Sequence, residues 1–233
     1  SLSGTVDFSN LPPTPTEDEI WQHLRQTMSP RRFQKVQSAE QDISHTPFVT
    51  IAHSKYPRNL RNIPFAPPVL FYKGNLELLN TPSVAIVGSR HCSKDSLSFT
   101  SRLAWNAHPS HVISSGLTFG IEQAAHNAIL SKKEEHVRLI AVLEQGMECI
   151  KSHRKKWMQQ VIERGGLVLS AYPETQHVQK WHYKERNRLL ASISDIIIVV
   201  EASKTSGSIS TALYGVELGK DIYAVPHHPN RAN

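Results

Sequence analysis

Four short motifs carry small, hydroxyl and cationic side chains that suit the binding of an anion. Gly88-Ser89-Arg90 and Ser115-Gly116 each end an apolar run, and Arg186-Asn187-Arg188 and Ser206-Gly207-Ser208 accompany two later runs. A glycine at the end of a buried strand lets a ligand approach the backbone, and hydroxyl, guanidinium and helix N–H groups all donate to phosphate. We therefore expect the four motifs to converge on a phosphate.

Cations and aromatic rings are combined in a second stretch. Lys180, Arg186 and Arg188 lie close to Trp181 and Tyr183 in the sequence. Cations bind the backbone of a single nucleic-acid strand, and aromatic faces stack on its bases. The stretch therefore favours contact with a single strand, and packing in the core is the alternative interpretation for Trp181.

A third group of cations lies between residues 151 and 156. Lys151, Arg154, Lys155 and Lys156 begin a predicted helix whose buried side carries Trp157. Cations this close together usually form a solvated helix face, but they also suit a track for phosphates. We favour the track, and with it a DNA contact for Lys156.

Acid–base and metal chemistry have weaker support. Glu122 and His126 lie four residues apart on one face of a predicted helix, where a structural hydrogen bond is favoured over catalysis or metal ligation. The thirteen histidines are scattered, without an HExxH or CxxC motif, and the sequence has neither a GxGxxG fingerprint nor a P-loop. We therefore expect no catalytic residue, no metal and no cofactor.

The composition narrows the class of protein. The chain has 233 residues, a formal charge of +6 and 39% hydrophobic residues, which fits one main globular domain with a polyanionic partner. Two cysteines are too few for a disulfide framework, and no apolar run reaches the roughly 18 residues of a membrane-spanning helix. With no signal peptide, we expect a protein of the reducing cytoplasm without a membrane partner.

The elements that position the motifs alternate between strand and helix. Apolar runs at 84–88, 111–115, 138–143, 166–170, 196–201 and 221–225 predict strands, and the intervals at 94–107, 120–133, 152–164, 185–194 and 208–218 predict helices. This alternation indicates an α/β, Rossmann-like fold, with a mostly parallel sheet and helices on both faces. Strand-end loops of such a sheet gather at its carboxyl edge, where the four motifs are expected.

Two parts of the chain differ in composition. Residues 1–46 are predicted to form an N-terminal tail, rich in Pro, Ser and Thr up to residue 19, followed by a short helical segment at 17–37. Residues 47–233 are predicted to form the Rossmann-like DNA-binding domain. Within it, the proline-punctuated segment 69–74 predicts an additional strand.

Read in order, the motifs resemble those of the DprA/Smf family, the DNA-processing proteins of bacterial natural transformation. The resemblance covers residues 48–226. It is carried by Tyr56-Pro57, Pro67-Pro68 with residues 69–74, 84–90, Ser115-Gly116-Leu117, Gly120-Ile121, Ala125-His126, Arg186-Asn187-Arg188, Glu201-Ala202, Ser206-Gly207-Ser208, Thr211-Ala212 and Ala224-Val225-Pro226. The family's C-terminal winged-helix-like module has no counterpart in this sequence. We therefore expect the sequence to be a fragment of a longer protein.

This resemblance implies an extended Rossmann domain that binds single-stranded DNA, forms a homodimer and hands the DNA to a RecA-type recombinase. The phosphate contacts that it implies are Ser89, Arg90, Ser115, Gly116, Lys180, Arg186, Asn187, Ser206, Gly207 and Ser208. Gly88, Lys156 and Arg188 join this set because of the residue patterns described above.

Two other functions remain open from the sequence. One is a nucleotide-binding enzyme related to the phosphoribohydrolase-like Rossmann proteins, with Glu122 or Glu201 as acid or base, although the sequence lacks the PGG loop of that group. The other is a nucleotide-sensing module in defence or signalling. Release of a free base from nucleoside monophosphates distinguishes the enzyme from the two binding proteins.

Overall fold

An eight-stranded sheet covered by helices forms the centre of the structure. The computed structural model describes residues 16–31, 33–34, 46–61 and 65–226, together with residues 12 and 63. Its elements in chain order are α1 (Glu17–Thr27), β1 (Phe48–Thr50), α2 (Arg58–Arg61), β2 (Val69–Gly74), a 3-10 helix (Leu76–Asn80), β3 (Ser83–Val87), α3 (Lys94–Ala107), β4 (Val112–Gly116), α4 (Ile121–Leu130), β5 (Leu139–Leu143), α5 (Ser152–Glu163), β6 (Leu167–Ser170), α6 (His182–Ile193), β7 (Ile196–Val199), α7 (Gly207–Glu217) and β8 (Asp221–Ala224).

The order of the strands decides where a ligand can bind. The sheet has the order β1-β2-β6-β5-β4-β3-β7-β8. β3 to β8 run parallel, while β2 pairs antiparallel with β6 and with β1. The chain builds the sheet in one direction from β3 to β6 and then returns to the other side of β3 with β7. The crevice at the carboxyl ends of β3 and β7 is therefore the topological switch point, which is where α/β sheets bind ligands.

The mostly parallel α/β fold predicted from the sequence is confirmed. Each predicted strand from β3 to β8 is present, and the additional strand at 69–74 is β2. Two helices differ in length: α4 ends at Leu130 instead of 133, and α6 begins at His182 instead of 185. β1 and α2 have no counterpart among the predictions, because three or four residues are too few for a recognisable period.

The N-terminal prediction stays a prediction, because residues 1–11, 13–15, 32 and 35–45 lie outside the described residues. α1 begins at Glu17, within the predicted helical segment. Thr16 accepts a hydrogen bond from the backbone N–H of Glu19, and the Glu19 carboxylate accepts one from the backbone N–H of Thr16. This capping box satisfies two N–H groups and defines the start of the helix.

The core has two layers, one on each face of the sheet. Successive residues of a strand point to opposite faces, so Val84 and Ile86 of β3 belong to the core layer that includes residues of α3, α4 and α5, while Ala85 and Val87 belong to the layer that includes residues of α2, α6 and α7. Burial on both faces explains why this strand reads as an uninterrupted apolar run. No helix in the described part of the chain has both the length and the apolar composition needed to cross a membrane.

Candidate nucleic-acid interface

A cavity of about 390 Å³ opens at the switch point between β3 and β7. Three of the four predicted motifs line it: Gly88, Ser89 and Arg90 from the loop after β3, Arg186 and Asn187 from α6, and Ser206, Gly207 and Ser208 from the start of α7. We call this space the anion cavity. Its walls come from three segments far apart in the chain, because the carboxyl edge of the parallel sheet brings their loops together.

The start of α7 offers hydrogen-bond donors to the anion cavity. Ser206 precedes the first helical residue, and its side chain makes no capping hydrogen bond. Its hydroxyl is shielded from solvent and has no hydrogen-bond partner among the described residues. The first N–H groups of a helix lack partners within the helix and carry its positive dipole end. Together with Ser208, these groups can donate to an anionic oxygen.

Arg186 forms the floor of the anion cavity and is paired with a buried carboxylate. Its Nη1 and Nη2 donate to Glu122 Oε1 and Oε2 at 3.3 and 3.2 Å. The Thr118 hydroxyl also donates to Glu122 Oε2. Burial by itself raises the pKa of Glu122, but the Arg186 guanidinium and the Thr118 hydroxyl outweigh it and hold the pKa below its ordinary value. Glu122 therefore carries a charge at neutral pH and neutralises Arg186.

Asn187 connects the floor of the anion cavity to α7. Its Oδ1 accepts from Arg186 Nη1 at 3.0 Å, and its Nδ2 donates to the carbonyl oxygen of Gly207 at 3.1 Å. Both polar atoms of the amide are therefore engaged. Asn187 orients Arg186 and the first turn of α7 relative to each other.

The fourth motif, Ser115-Gly116, lies beneath the cavity and does not line it. Ser115 is fully buried, and its hydroxyl is 2.6 Å from His126 Nε2. A side chain at Gly116 would overlap the guanidinium of Arg186. The expected position of both residues on the pocket surface is thus corrected: Ser115 is buried beside His126, and Gly116 provides the space in which Arg186 lies. Burial lowers the pKa of His126 to about 4, so its ring is neutral at pH 7.

Arg90 and Tyr183 line the anion cavity, whereas Lys180 and Trp181, at the start of α6, do not line it. Arg90 is exposed, and its guanidinium carbon lies 6.0 Å from the centre of the Tyr183 ring. Lys180 is exposed just before α6. Trp181 is 60% exposed, so packing in the core, the alternative interpretation, is wrong for this residue. Free cations beside open aromatic faces are the combination that single strands bind.

Two further predicted contacts lie away from the anion cavity. The guanidinium of Arg188 packs against the rings of Phe65 and Tyr214, at 4.8 Å from each ring centre, and donates to Glu185 at 3.3 Å. Arg188 is therefore not among the lining residues, which corrects its expected position. Lys156 is exposed on α5 and also does not line the cavity.

Five lining residues lie outside the predicted set of phosphate contacts. Glu122 was considered as an acid or base and Tyr183 as a stacking face, whereas His91, Thr118 and Thr211 were not singled out. His91 directly follows Gly88-Ser89-Arg90, and Thr118 belongs to the loop that follows β4. Both residues lie in loops that follow strands, and this position is the sequence signal that could have identified them as lining residues. Thr211 lies one helical turn after Gly207, on the same face of α7, so only the helix orientation reveals it.

The second carboxylate considered for acid–base work has a structural role. Glu201 Oε2 accepts from both the backbone N–H and the hydroxyl of Ser93, each at 3.0 Å, at the start of α3. In the described ranges, no group of three His, Cys, Asp or Glu side chains is arranged to hold a metal ion.

Comparison with known sequences identifies relatives. The family model for DNA recombination-mediator protein A matches residues 47–233. The DNA processing protein DprA of Streptococcus pneumoniae is 39% identical over 180 residues, which is 77% of this chain and 63% of that protein. The protein Smf of Synechocystis is 34% identical over 188 residues, which is 78% of this chain and 46% of that protein. The chain thus spans less than two thirds of the length of either relative.

Two solved structures share the fold. The X-ray structure of DprA from Streptococcus pneumoniae matches with a TM-score of 0.75 at 33% identity, covering 93% of this chain and 73% of that one. DNA processing protein A from Helicobacter pylori matches with a TM-score of 0.71 at 28% identity, covering 82% and 86%. The Helicobacter pylori structure concerns the binding mode of that protein for single-stranded DNA.

Proposed function

The chain belongs to the DNA recombination-mediator protein A family, and we propose that it is a non-enzymatic, cytoplasmic protein that binds single-stranded DNA in natural transformation or recombination. The anion cavity is the observation that carries this proposal. Its donors are hydroxyl, guanidinium and helix N–H groups, which suit phosphate oxygens and read no base edge. The resemblance to DprA/Smf proteins and the DNA-binding relative support the same ligand.

Several residues divide the work of binding. Ser206 and the first turn of α7 donate to one phosphate, and Arg90 pairs with that phosphate or the next one. Lys180, exposed at the start of α6, supplies a second cation, and the Tyr183 ring supplies a face for a base. Arg186 contributes mainly by orienting the cavity floor, because Glu122 already neutralises its charge.

The engagement of both candidate acids favours binding over catalysis. Glu122 is held by Arg186 and Thr118, and Glu201 caps α3. A general base must reach a proton of the substrate, and a carboxylate whose oxygens already accept from protein donors is poorly placed to do so. Binding without chemistry is therefore the function that the contacts support best.

Fluorescence anisotropy across a salt series tests the proposal. We expect oligo-dT to bind more tightly than duplex DNA or free nucleotides, with an affinity that falls steeply with added salt. The affinity falls with added salt because each cation that neutralises a phosphate releases counterions from the strand. A salt-independent affinity for a mononucleotide, together with release of free base from nucleoside monophosphates, would instead support the phosphoribohydrolase-like enzyme.

We also propose a homodimer that uses the β8 edge of the sheet. Within the part of the chain that the structure describes, β8 is the last strand of the sheet, and one of its sides has no partner strand. Leu213 and Val216 of α7 and Tyr223 of β8 are each more than half exposed. Exposed apolar side chains beside an open strand edge form a surface that proteins usually cover.

Val216→Glu is expected to convert the dimer into a monomer, because the interface would bury an unpaired carboxylate. Light scattering coupled to size exclusion measures the mass. Trp105→Glu is the matched control, since Trp105 is also an exposed hydrophobic residue but lies on α3. A wild-type monomer at every concentration, or an unchanged Val216→Glu dimer, contradicts this interface.

A RecA-type recombinase is the proposed partner that receives the DNA. The description of the family as recombination mediators supports it. Faster assembly of the recombinase on single strands in the presence of the protein is the expected result, and an unchanged rate contradicts the partner.

A further inference from the structure

A second groove lies directly beside the anion cavity. It has a volume of about 710 Å³ and lies between the loop after β3, α3 and α4. Arg90 and His91 line both spaces, so the two are continuous at these residues. We call it the flanking groove. We infer that the flanking groove binds the base of the next nucleotide of the same strand, and that this base stacks on Phe119. This inference rests on the proposed function.

Phe119 presents an open aromatic face to the flanking groove. Its ring stacks on the His153 ring, with 5.2 Å between the centres and 20° between the planes. It is nevertheless 51% exposed and lines the groove. An aromatic ring that is supported on one side and open on the other is a suitable platform for a base, and stacking accepts any base.

The backbone holds Phe119 in a defined position relative to Arg90. Gly120 has φ +78°, and a side chain there would overlap the carbonyl oxygens of Ser89 and Arg90. The backbone N–H of Ile121 donates to the Ser89 carbonyl at 3.3 Å. The loop carrying Phe119 is therefore packed against the loop carrying Arg90. A phosphate at Arg90 has the Phe119 ring as a neighbouring platform without any rearrangement of these loops.

Two amide side chains stand beside the ring. Gln123 and Asn127 lie four residues apart on α4, so they share one helix face, and both line the flanking groove. Carboxamides both donate and accept, which matches the edges of nucleobases. A lipid chain offers no such edges. A peptide can also pair with carboxamides, so it is the Arg90 and His91 residues shared with the anion cavity that make the same DNA strand the occupant.

The groove also accounts for the predicted contact at Lys156. His153, which supports Phe119, lies on α5 three residues before Lys156, so the two residues share one side of the helix. Lys156 and the neighbouring Lys155 are exposed. A strand that leaves the Phe119 ring toward α5 meets these ammonium groups, which provides a cation for the following phosphate.

Substitutions at Phe119 test the groove. We expect Phe119→Leu to weaken oligo-dT binding by about 5- to 100-fold, the usual range for loss of one stacked base, and Phe119→Tyr to bind like the wild type because the ring is kept. Trp105→Leu is the matched control, an exposed ring on α3 that lines neither space, and its affinity should not change. Circular dichroism checks that each variant folds.

Photocrosslinking gives a second readout that does not depend on affinity. Oligonucleotides containing iododeoxyuridine should crosslink to the peptide that contains Phe119, identified by mass spectrometry. Wild-type affinity in Phe119→Leu, or crosslinks confined to the peptide with Tyr183, overturns the groove while leaving the anion cavity in place. Absence of oligo-dT binding by the wild type overturns the proposed function itself.

Discussion

Replacing Arg186 with methionine is expected to lower the free energy of unfolding by about 3–5 kcal/mol, the usual cost of removing one partner of a buried ion pair. Arg186 and Glu122 are each only about 5% exposed. Without the guanidinium, the Glu122 carboxylate stays buried with Thr118 as its remaining side-chain donor. Methionine fills much of the same volume as arginine. The loss of unfolding free energy therefore comes from the unpaired charge more than from a cavity. Urea denaturation at neutral pH measures it.

Two variants separate the ion pair from other causes. Lys184→Met removes an exposed cation from the same helix and should change the stability by less than about 1 kcal/mol. Adding Glu122→Gln to Arg186→Met should recover part of the loss, because the buried charge is then absent. If Arg186→Met is as stable as Lys184→Met, the Arg186–Glu122 ion pair contributes nothing to the free energy of unfolding. The assignment of Arg186 as the floor of the anion cavity is then wrong.

The pH dependence follows from the lowered pKa of Glu122. A carboxylate whose pKa is lower in the folded state stabilises the fold above its unfolded pKa, and this contribution disappears as the pH falls through the folded pKa. The difference in stability between wild type and Arg186→Met should therefore be full at neutral pH and shrink in acid. A difference that grows as the pH falls contradicts this assignment.

Arg90→Ala and Lys180→Ala are each expected to weaken oligo-dT binding by about 10- to 100-fold, because each removes a charge-assisted contact to phosphate. Both side chains are exposed, so the stability should stay within about 0.5 kcal/mol of the wild type. The slope of log affinity against log salt concentration should become less steep by about one unit for each cation removed. Anisotropy titrations at several salt concentrations measure both quantities.

Lys133→Ala is the matched control for this pair. Lys133 is equally exposed and carries the same charge, but it follows the carboxyl end of α4 and lines neither the anion cavity nor the flanking groove. Its removal lowers the net charge without removing a phosphate contact. If all three variants lose affinity equally, the binding follows net charge alone, and the anion cavity is not the DNA site.

The strand and helix pattern of the central fold could be predicted because buried parallel strands are apolar on both faces. Val84 and Ile86 face one core layer, and Ala85 and Val87 face the other, so β3 reads as one continuous run. The edge strand β1 could not be predicted. Its three residues pair antiparallel with β2, and this contact depends on long-range packing that leaves no local period.

The candidate site, like the fold, could be predicted from the sequence only in part. Polar motifs after successive strands predict a shared edge, because connections in a parallel sheet return to the same side. Whether a motif faces solvent or lies underneath is a different question. Ser115 and Ser206 are both small hydroxyl residues in strand-end segments, yet Ser115 is buried beside His126 and Ser206 lines the anion cavity.

The sequence by itself determined the α/β fold, the carboxyl edge as the candidate ligand edge and the family, since these depend on local periodicity and on motifs in a fixed order. Only the tertiary structure decided which side chains are accessible for the proposed contact with DNA. Arg186 and Glu122 are 64 residues apart in the chain, and their pairing turns a predicted phosphate contact into the buried floor of the cavity. The exposure of Trp181 and the position of Phe119 beside Arg90 likewise arise from packing between distant loops, and no local pattern encodes such packing.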